Sequence, residues 1–408
     1  MICDIPHIYA LRRILAIAQT SAILDSVVEV NIGSTFSGSR RVSDIPFLLY
    51  PAVLMLVKTI PAMQQLQTVH LHHVILPREY LYTILSSPHL IHLILDTIQM
   101  PKMSKFPPPK LRKLTLTAIP SWDAVEALIS QLSASLEYLE IQWCEFRDLR
   151  NLQLHPFPCL RELHYHEHYE HIFADGRGFF RLGPHISHLY LSGNFYHTQV
   201  APFPGSLRHL SVEEGVLTEK VFGTDPCPWL ISLSIECVRE WRGFNNRLPL
   251  LSFVCDRFPS ITSLHLNMSW QLRNFAMVLA RSLHNVQALT LVIDTNCDLT
   301  YEDSVSIRFG HPVEIPTEYL RRAVLPAAMQ SLSLEVVQIS SNLERSVVCC
   351  VQWVEDHILH CVTGLGGPHL KSIDVVFVKL KSKSKRERVL RMQWVKSFNG
   401  YWQTEKWL

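Results

Sequence analysis

The chain has no apolar run long enough to cross a bilayer. Its longest, Phe47 to Val57, is eleven residues and contains Pro51, against the roughly 20 that a spanning helix needs. Charged residues are scarce, at 18%, and the formal net charge is only +2, so no global attraction to nucleic acid or a membrane surface is expected. No two of the ten cysteines stand as Cys-x-x-Cys, and Cys349 and Cys350 are adjacent. That spacing points to neither a zinc ribbon nor a thioredoxin-like site and predicts buried, reduced thiols in a cytoplasmic or nuclear protein. Phosphate-cradling Gly-x-x-x-x-Gly-Lys-Ser/Thr and nucleophile-elbow Gly-x-Ser-x-Gly sequences are absent as well, so no cofactor is implied. The apolar stretch after Arg12 and Arg13 is broken by Gln19, Thr20 and Ser21. It is too short for a secretory core, and residues 1–26 read as an amphipathic, helical N-terminal cap.

What the chain has instead is 48% hydrophobic residues, enough for a large core, and a period. Seven segments share Pro-x-[Leu/Ile]-x-x-[Leu/Ile]-x-[Leu/Ile/Val/Tyr]: PHLIHLIL from Pro88, PKLRKLTL from Pro109, PCLRELHY from Pro158, PHISHLYL from Pro184, PWLISLSI from Pro228, PSITSLHL from Pro259 and PHLKSIDV from Pro368. Chance would supply on the order of one. Without the proline, the pattern also begins at Val27, Leu66, Leu136, Leu207, Val286 and Met329. From Leu66 to Ile261 most intervals are 21 to 26 residues, within the range of a leucine-rich repeat. Longer intervals follow, with insertions at about 293–325 and 336–367.

Helical stripes lie between these segments. Val125, Leu128, Ile129 and Leu132 form one, and Leu272, Phe275, Ala276, Leu279 and Leu283 another. Ser341 and Glu344 make a capping box ahead of Leu343, Val347, Val351, Val354 and Ile358, with Gly364 as a stop. A strand, a turn and a returning helix cannot bury an apolar face alone, so neighbours must stack. The expected fold is α/β, a curved solenoid of about thirteen irregular repeats over residues 27–380. A parallel sheet would line its concave side and helices its convex side.

In this organisation the chain resembles the leucine-rich-repeat region of fungal F-box proteins, with ribonuclease-inhibitor-like, horseshoe architecture, over about residues 20 to 380. The likeness lies in the repeat architecture more than in individual residues. The Asn or Cys expected three residues after the last strand leucine occurs only at Cys144 and Asn194, whereas Val74, Ile98 and Ile119 stand there in other repeats. The F-box itself, a short helical module with a Leu-Pro-x-Glu-like start, is not evident ahead of Val27. The resemblance implies substrate recognition in F-box-type ubiquitination. The chain then reads either as a truncated relative or as one whose ubiquitin-ligase adaptor is supplied in trans.

In Leu-x-x-Leu-x-Leu the leucines point to the core, and positions 3, 5 and 7 point to the opposite face of the sheet. Thirteen strands at about 4.8 Å would span on the order of 60 Å, a length suited to a protein segment. The middle repeats carry the richest display, and Tyr138, Glu140, Glu162, His164, His166, His188, Tyr190 and His209 are the expected partner-binding residues. Residues 162–171 (ELHYHEHYEH) also suggest a second function, a metal-dependent hydrolase. The His-Glu-x-x-His pattern is not met, however, because Glu170 stands where the second histidine belongs. The loop from Asp294 to Val305 opens like a calcium site but has Leu299 for the turn glycine and Val305 for the bidentate glutamate. Residues 381–408 combine lysines and arginines with Trp394, Phe398, Tyr401, Trp402 and Trp407. They read as a solvated linker and end-cap, with a nuclear-import or nucleic-acid patch as the alternative.

Overall fold

The structure, a computed structural model, describes residues 2–4, 16, 20–33, 50–75, 77–100, 110–120, 122–142, 157–167, 178–179, 183–193, 198–199, 203–213, 216, 219–223, 225–236, 253–254, 256–268, 284–294, 328–338, 369–380 and 386–407. The fold is α/β, with mostly parallel strands and few helices among the described residues. The chain divides into two compact units, Met1–Leu207 with Lys220–Phe222, and Arg208–Glu219 with Gly223–Leu408.

In the first unit eight strands lie side by side in chain order: β1 (Ile2–Asp4), β2 (Glu29–Gly33), β3 (Thr68–His72), β4 (His92–Asp96), β5 (Lys113–Thr117), β6 (Tyr138–Gln142), β7 (Glu162–Glu167) and β8 (His188–Gly193). All pair in parallel. The second unit continues with β9 (His209–Glu213), β10 (Ser232–Glu236), β11 (Ser263–Met268), β12 (Ala288–Asp294), β13 (Ser331–Gln338) and β14 (Ser372–Leu380), again parallel. Two antiparallel strands follow, β15 (Arg386–Lys396) and β16 (Trp402–Trp407). Each of β2 to β14 begins two residues after the first apolar position of one sequence motif. The alternation is the expected one: on β3, for example, Val69 and Leu71 are fully buried while Thr68, His70 and His72 are half-buried.

Parallel pairing needs a crossover between strands, and among the described residues short helices stand in four of the first unit's connections. These are α1 (Ser21–Leu24), α2 (Tyr50–Thr59), α3 (Arg78–Leu85) and α4 (Trp122–Leu132); α5 (Glu219–Phe222) lies farther along. Pro51 sits in the first turn of α2, where its missing N–H costs nothing. The predicted stripe on α4 is real: Val125, Leu128, Ile129 and Leu132 are all fully buried. The stripes at 272–283 and 343–358 lie outside the described residues, as do Cys144, Asn194 and the loop after Asp294.

The register is set by a recurring device at the strand entrances. Two successive N–H groups converge on one carbonyl of the preceding repeat: Glu137 and Tyr138 on Arg112, Arg161 and Glu162 on Glu137, Ser187 and His188 on Arg161. Side chains just ahead of the motifs add to this. Ser135 Oγ donates to Leu111 O at 2.8 Å and Ser206 Oγ to Ile186 O at 2.7 Å. The strand exits share a second device. His73, Thr97 and Ala118, each two residues past the last strand leucine, take positive φ of 53°, 50° and 51°, and Gly193 takes 94° at the equivalent place. Their N–H groups reach the next strand, Thr97 to Thr117 O and Ala118 to Gln142 O, both at 2.8 Å. This turn drives Val74, Ile98 and Ile119 into the core, which explains why aliphatics replace the polar turn residue there.

Two expectations need correction. Ile2–Asp4, within the supposed helical cap, is a strand paired with β2; an open strand edge draws such a segment, and three residues are too few to show a period. Cys159 is exposed, whereas Cys227 is buried as expected. Within 381–408, expected as a linker leading into an end-cap, β15 and β16 form a hairpin on the edge of β14. Among the described residues, no helix is long and apolar enough to cross a membrane.

Candidate interaction face

One face of the first unit's sheet is sealed by the buried leucines. On the other, the register aligns side chains from β2 to β8 in rows about 4.8 Å apart. Of the eight predicted site residues, Tyr138 and Glu140 stand on β6, Glu162, His164 and His166 on β7, and His188 and Tyr190 on β8, all in this unit. His209 is an exposed residue of β9 in the second unit.

Neighbouring strands bring the rings into a ladder. Tyr138 and His164 have centroids 5.2 Å apart and tilted by 44°; His164 and Tyr190 stack at 5.3 Å and 21°. His92 meets Tyr138 edge-on at 6.2 Å, and the Lys113 ammonium lies 5.9 Å from the Tyr138 centroid. Because these rings cover one another's faces, the ladder is rigid and presents edges and polar atoms outward.

Beneath it runs a hydrogen-bond network centred on Glu140. Its carboxylate accepts from Tyr138 Oη at 2.7 Å, from Thr115 Oγ1 at 3.1 Å and from the Gln142 amide. With the Thr115 hydroxyl committed to Glu140, the 3.2 Å contact from His92 Nε2 must be a donation to Thr115 Oγ1. That assigns His92 the Nε2–H tautomer when neutral. Burial, the bond to Glu140 and the charge of that carboxylate push the Tyr138 phenol well above its ordinary value. Tyr138 is therefore a fixed proton donor rather than a base. The His–Thr–Glu relay was not legible in the sequence; its only trace is that positions 92, 115 and 140 share the third or fifth place of three successive motifs.

The histidine-rich stretch separates into individual contacts. His164 Nε2 lies 2.8 Å from Glu162 Oε1, while His166 Nδ1 turns to Ser192 Oγ on β8. His188 is exposed, with Nδ1 2.9 Å from Ser187 Oγ. Among the described residues, no three His, Cys, Asp or Glu side chains are grouped to hold a metal ion. Residues 168–171 lie outside the described residues.

Burial lowers the pKa of both His70 and His92. For His70, Asp96 and Glu29 oppose the shift; for His92, Lys113 and His70 add to it and Glu140 opposes it. Both folded values lie below the unfolded one of about 6.5, so the unfolded chain binds more protons between them. The contribution of these groups to stability is complete above that pH and is lost as pH falls through it towards the folded values. The thermal midpoint of the first unit should therefore be lower at pH 5.5 than at pH 7.5, by no more than a few degrees, because both rings are half-exposed. His92→Gln, which can still donate to Thr115, should narrow the difference. A midpoint that rises on acidification would contradict this assignment.

The corresponding face of the second unit differs. Ser211, Ser234, Thr290 and Ser333 occupy the fifth motif position and Ser232, Ser263, Ala288, Ser331 and Ser372 the third. Asp374 is held in a fork by Arg391 of β15, the shortest contact being 2.7 Å. The fifth row also holds His265, and the seventh Glu213, Glu236 and Glu335, so the second unit has as many carboxylates in these rows as the first and differs from it in lacking the ladder of tyrosine and histidine rings. Compared with family models and with curated proteins, the chain matches none.

Proposed function

We propose that the chain is a non-enzymatic leucine-rich-repeat solenoid of the horseshoe kind, with about thirteen repeats, that captures a protein partner on its concave sheet. In keeping with the resemblance to fungal F-box proteins, it would present that partner for ubiquitination in the cytoplasm or nucleus, with the ligase adaptor supplied in trans. The observation that carries the reading is the ladder Tyr138–His164–Tyr190 on the open face of the first unit. Rigid, half-buried rings backed by a satisfied polar network lose little side-chain entropy on association and match the residue types that dominate binding energy at protein interfaces.

The test begins with a photocrosslinking residue at the exposed position 188, which identifies the partner from a native extract. Binding of the purified partner is then measured to the wild-type chain and to a Tyr138→Ala, His164→Ala, Tyr190→Ala variant. The variant should lose at least about 100-fold in affinity, since truncated hot-spot side chains cost about 2 kcal/mol or more each. Its circular dichroism should be unchanged. Equal affinity for the two proteins would refute the reading.

A further inference from the structure

The register gives each of β2 to β8 three open-face positions, and the charges among them are lopsided. Glu29 on β2, Asp96 on β4, Glu140 on β6 and Glu162 on β7 are carboxylates; Lys113 on β5 is the one lysine, and arginine is absent. With the histidines neutral, four carboxylates against one lysine leave this face at −3, while the whole chain is formally +2. The first unit's open face is thus net negative, as are the equivalent rows of the second unit with Glu213, Glu236, Glu335 and Asp374, but only on the first does that charge stand beside the ring ladder.

Inside the face, three of the four carboxylates have side-chain partners that are not lysine or arginine. Glu140 is held by two hydroxyls and an amide, and Asp96 Oδ1 accepts from Thr97 Oγ1 at 2.8 Å. Glu162 meets His164. Among the described residues, no lysine or arginine forms a salt bridge with any of the four, so their charge is solvated without being cancelled. Lys113 over the Tyr138 ring shows how a cation sits on this surface. From β2 to β7 the carboxylates span five strand spacings, about 24 Å, the length of roughly seven residues of extended chain.

Resting on the protein-capture reading above, we infer that the segment captured on the first unit's open face is cationic: an extended stretch rich in arginine or lysine, steered by Glu29, Asp96, Glu140 and Glu162 and seated against the Tyr138–His164–Tyr190 ladder. An acidic segment or a nucleic-acid backbone would meet like charge here.

Three fluorescein-labelled octapeptides test this with the full chain: alternating Arg-Gly, alternating Glu-Gly and alternating Ser-Gly. The Arg-Gly peptide should bind at low salt, weaken about tenfold or more between 50 and 300 mM salt, and outcompete the other two. Glu29→Gln, Asp96→Asn and Glu162→Gln together bring the face to zero and should cost about thirtyfold in affinity. Glu140 is left in place so that its network survives, and Lys113→Glu should strengthen binding. Equal binding of the Glu-Gly or Ser-Gly peptide overturns the inference, as does an unchanged affinity in the neutralised variant. If the partner crosslinked from position 188 docks through a neutral or acidic segment, the cationic inference falls while face capture stands. If the ladder variant leaves partner affinity unchanged, the capture reading falls.

Discussion

Trp394→Ala should lower the stability of the second unit by about 3–5 kcal/mol, the usual cost of emptying a buried tryptophan site. Trp394 is among the largest fully buried side chains of the molecule. It stands on β15 directly opposite Ile373 of β14, as Met392 stands opposite Val375, and all four are buried. The hairpin therefore closes the core of the last parallel strands as well as pairing their edge, an end that would otherwise expose a row of backbone donors and acceptors. Trp394 Nε1 is buried without a hydrogen-bond partner. Trp394→Phe removes that orphaned donor, whose burial costs about 1–3 kcal/mol, and gives up some packing volume, so it should be close to neutral. Urea unfolding followed by circular dichroism separates the two outcomes. An alanine variant within about 1 kcal/mol of wild type, or a phenylalanine variant as unstable as alanine, would show that the hairpin does not share the core.

That hairpin marks one limit of what the sequence reveals. In the parallel part, two buried leucines per strand and a third at its entrance fix which residues face the core. One position of slip would reverse every side chain, so motif and register had to agree. At β15 the same alternation exists: Arg391 and Gln393 face away from the core while Met392 and Trp394 are buried. The surrounding lysines and arginines resemble a solvated run and hide the period of two. Three residues at Ile2–Asp4 are too short for any period. His73, Thr97 and Ala118 escape notice because their residue types do not advertise positive φ, which glycine would. For the candidate site, the rows were legible and their bonding was not. Residues two apart on a strand share a face, but His164 and His166 turn to different partners, Glu162 and Ser192. Only side-chain geometry could show that Glu140 is the acceptor at the centre of the network.

The two units also solve the display problem differently. In the first, rings and carboxylates stand next to one another across strands, so each side chain restricts its neighbours. In the second, serine and threonine dominate the third and fifth rows, and the seventh carries Glu213, Glu236, Asn267 and Glu335 beside Val292 and Val376, which are buried together with Val378. Short hydroxyl side chains give little area for a partner to bury, whereas the ladder offers area with few rotamers to freeze. The first unit is for this reason the part of the chain on which binding should be sought.

Leu128→Ala separates folding from capture in that unit, and its expected cost is about 2–5 kcal/mol. Leu128 is fully buried in the stripe of α4, with Val125 and Ile129 beside it and Leu132 one turn on. α4 is the crossover that joins β5 to β6, the strands carrying Lys113, Thr115, Tyr138 and Glu140. The cavity left by the leucine would lie on the core side of the sheet, away from the open face. Strand entry, meanwhile, is fixed by bonds that the substitution does not touch, the backbone pair from Glu137 and Tyr138 to Arg112 O and the side-chain bond from Ser135 Oγ to Leu111 O. Well below its lowered midpoint, the Leu128→Ala chain should bind the partner within about threefold of wild type, because only the unfolded fraction is lost to binding. The ladder variant should behave in the opposite way, with stability kept and affinity lost. If Leu128→Ala instead weakened capture as much as the ladder variant at a temperature where both are folded, display on the open face would depend on the helix beneath it, and register alone would not suffice to position Tyr138 and Glu140.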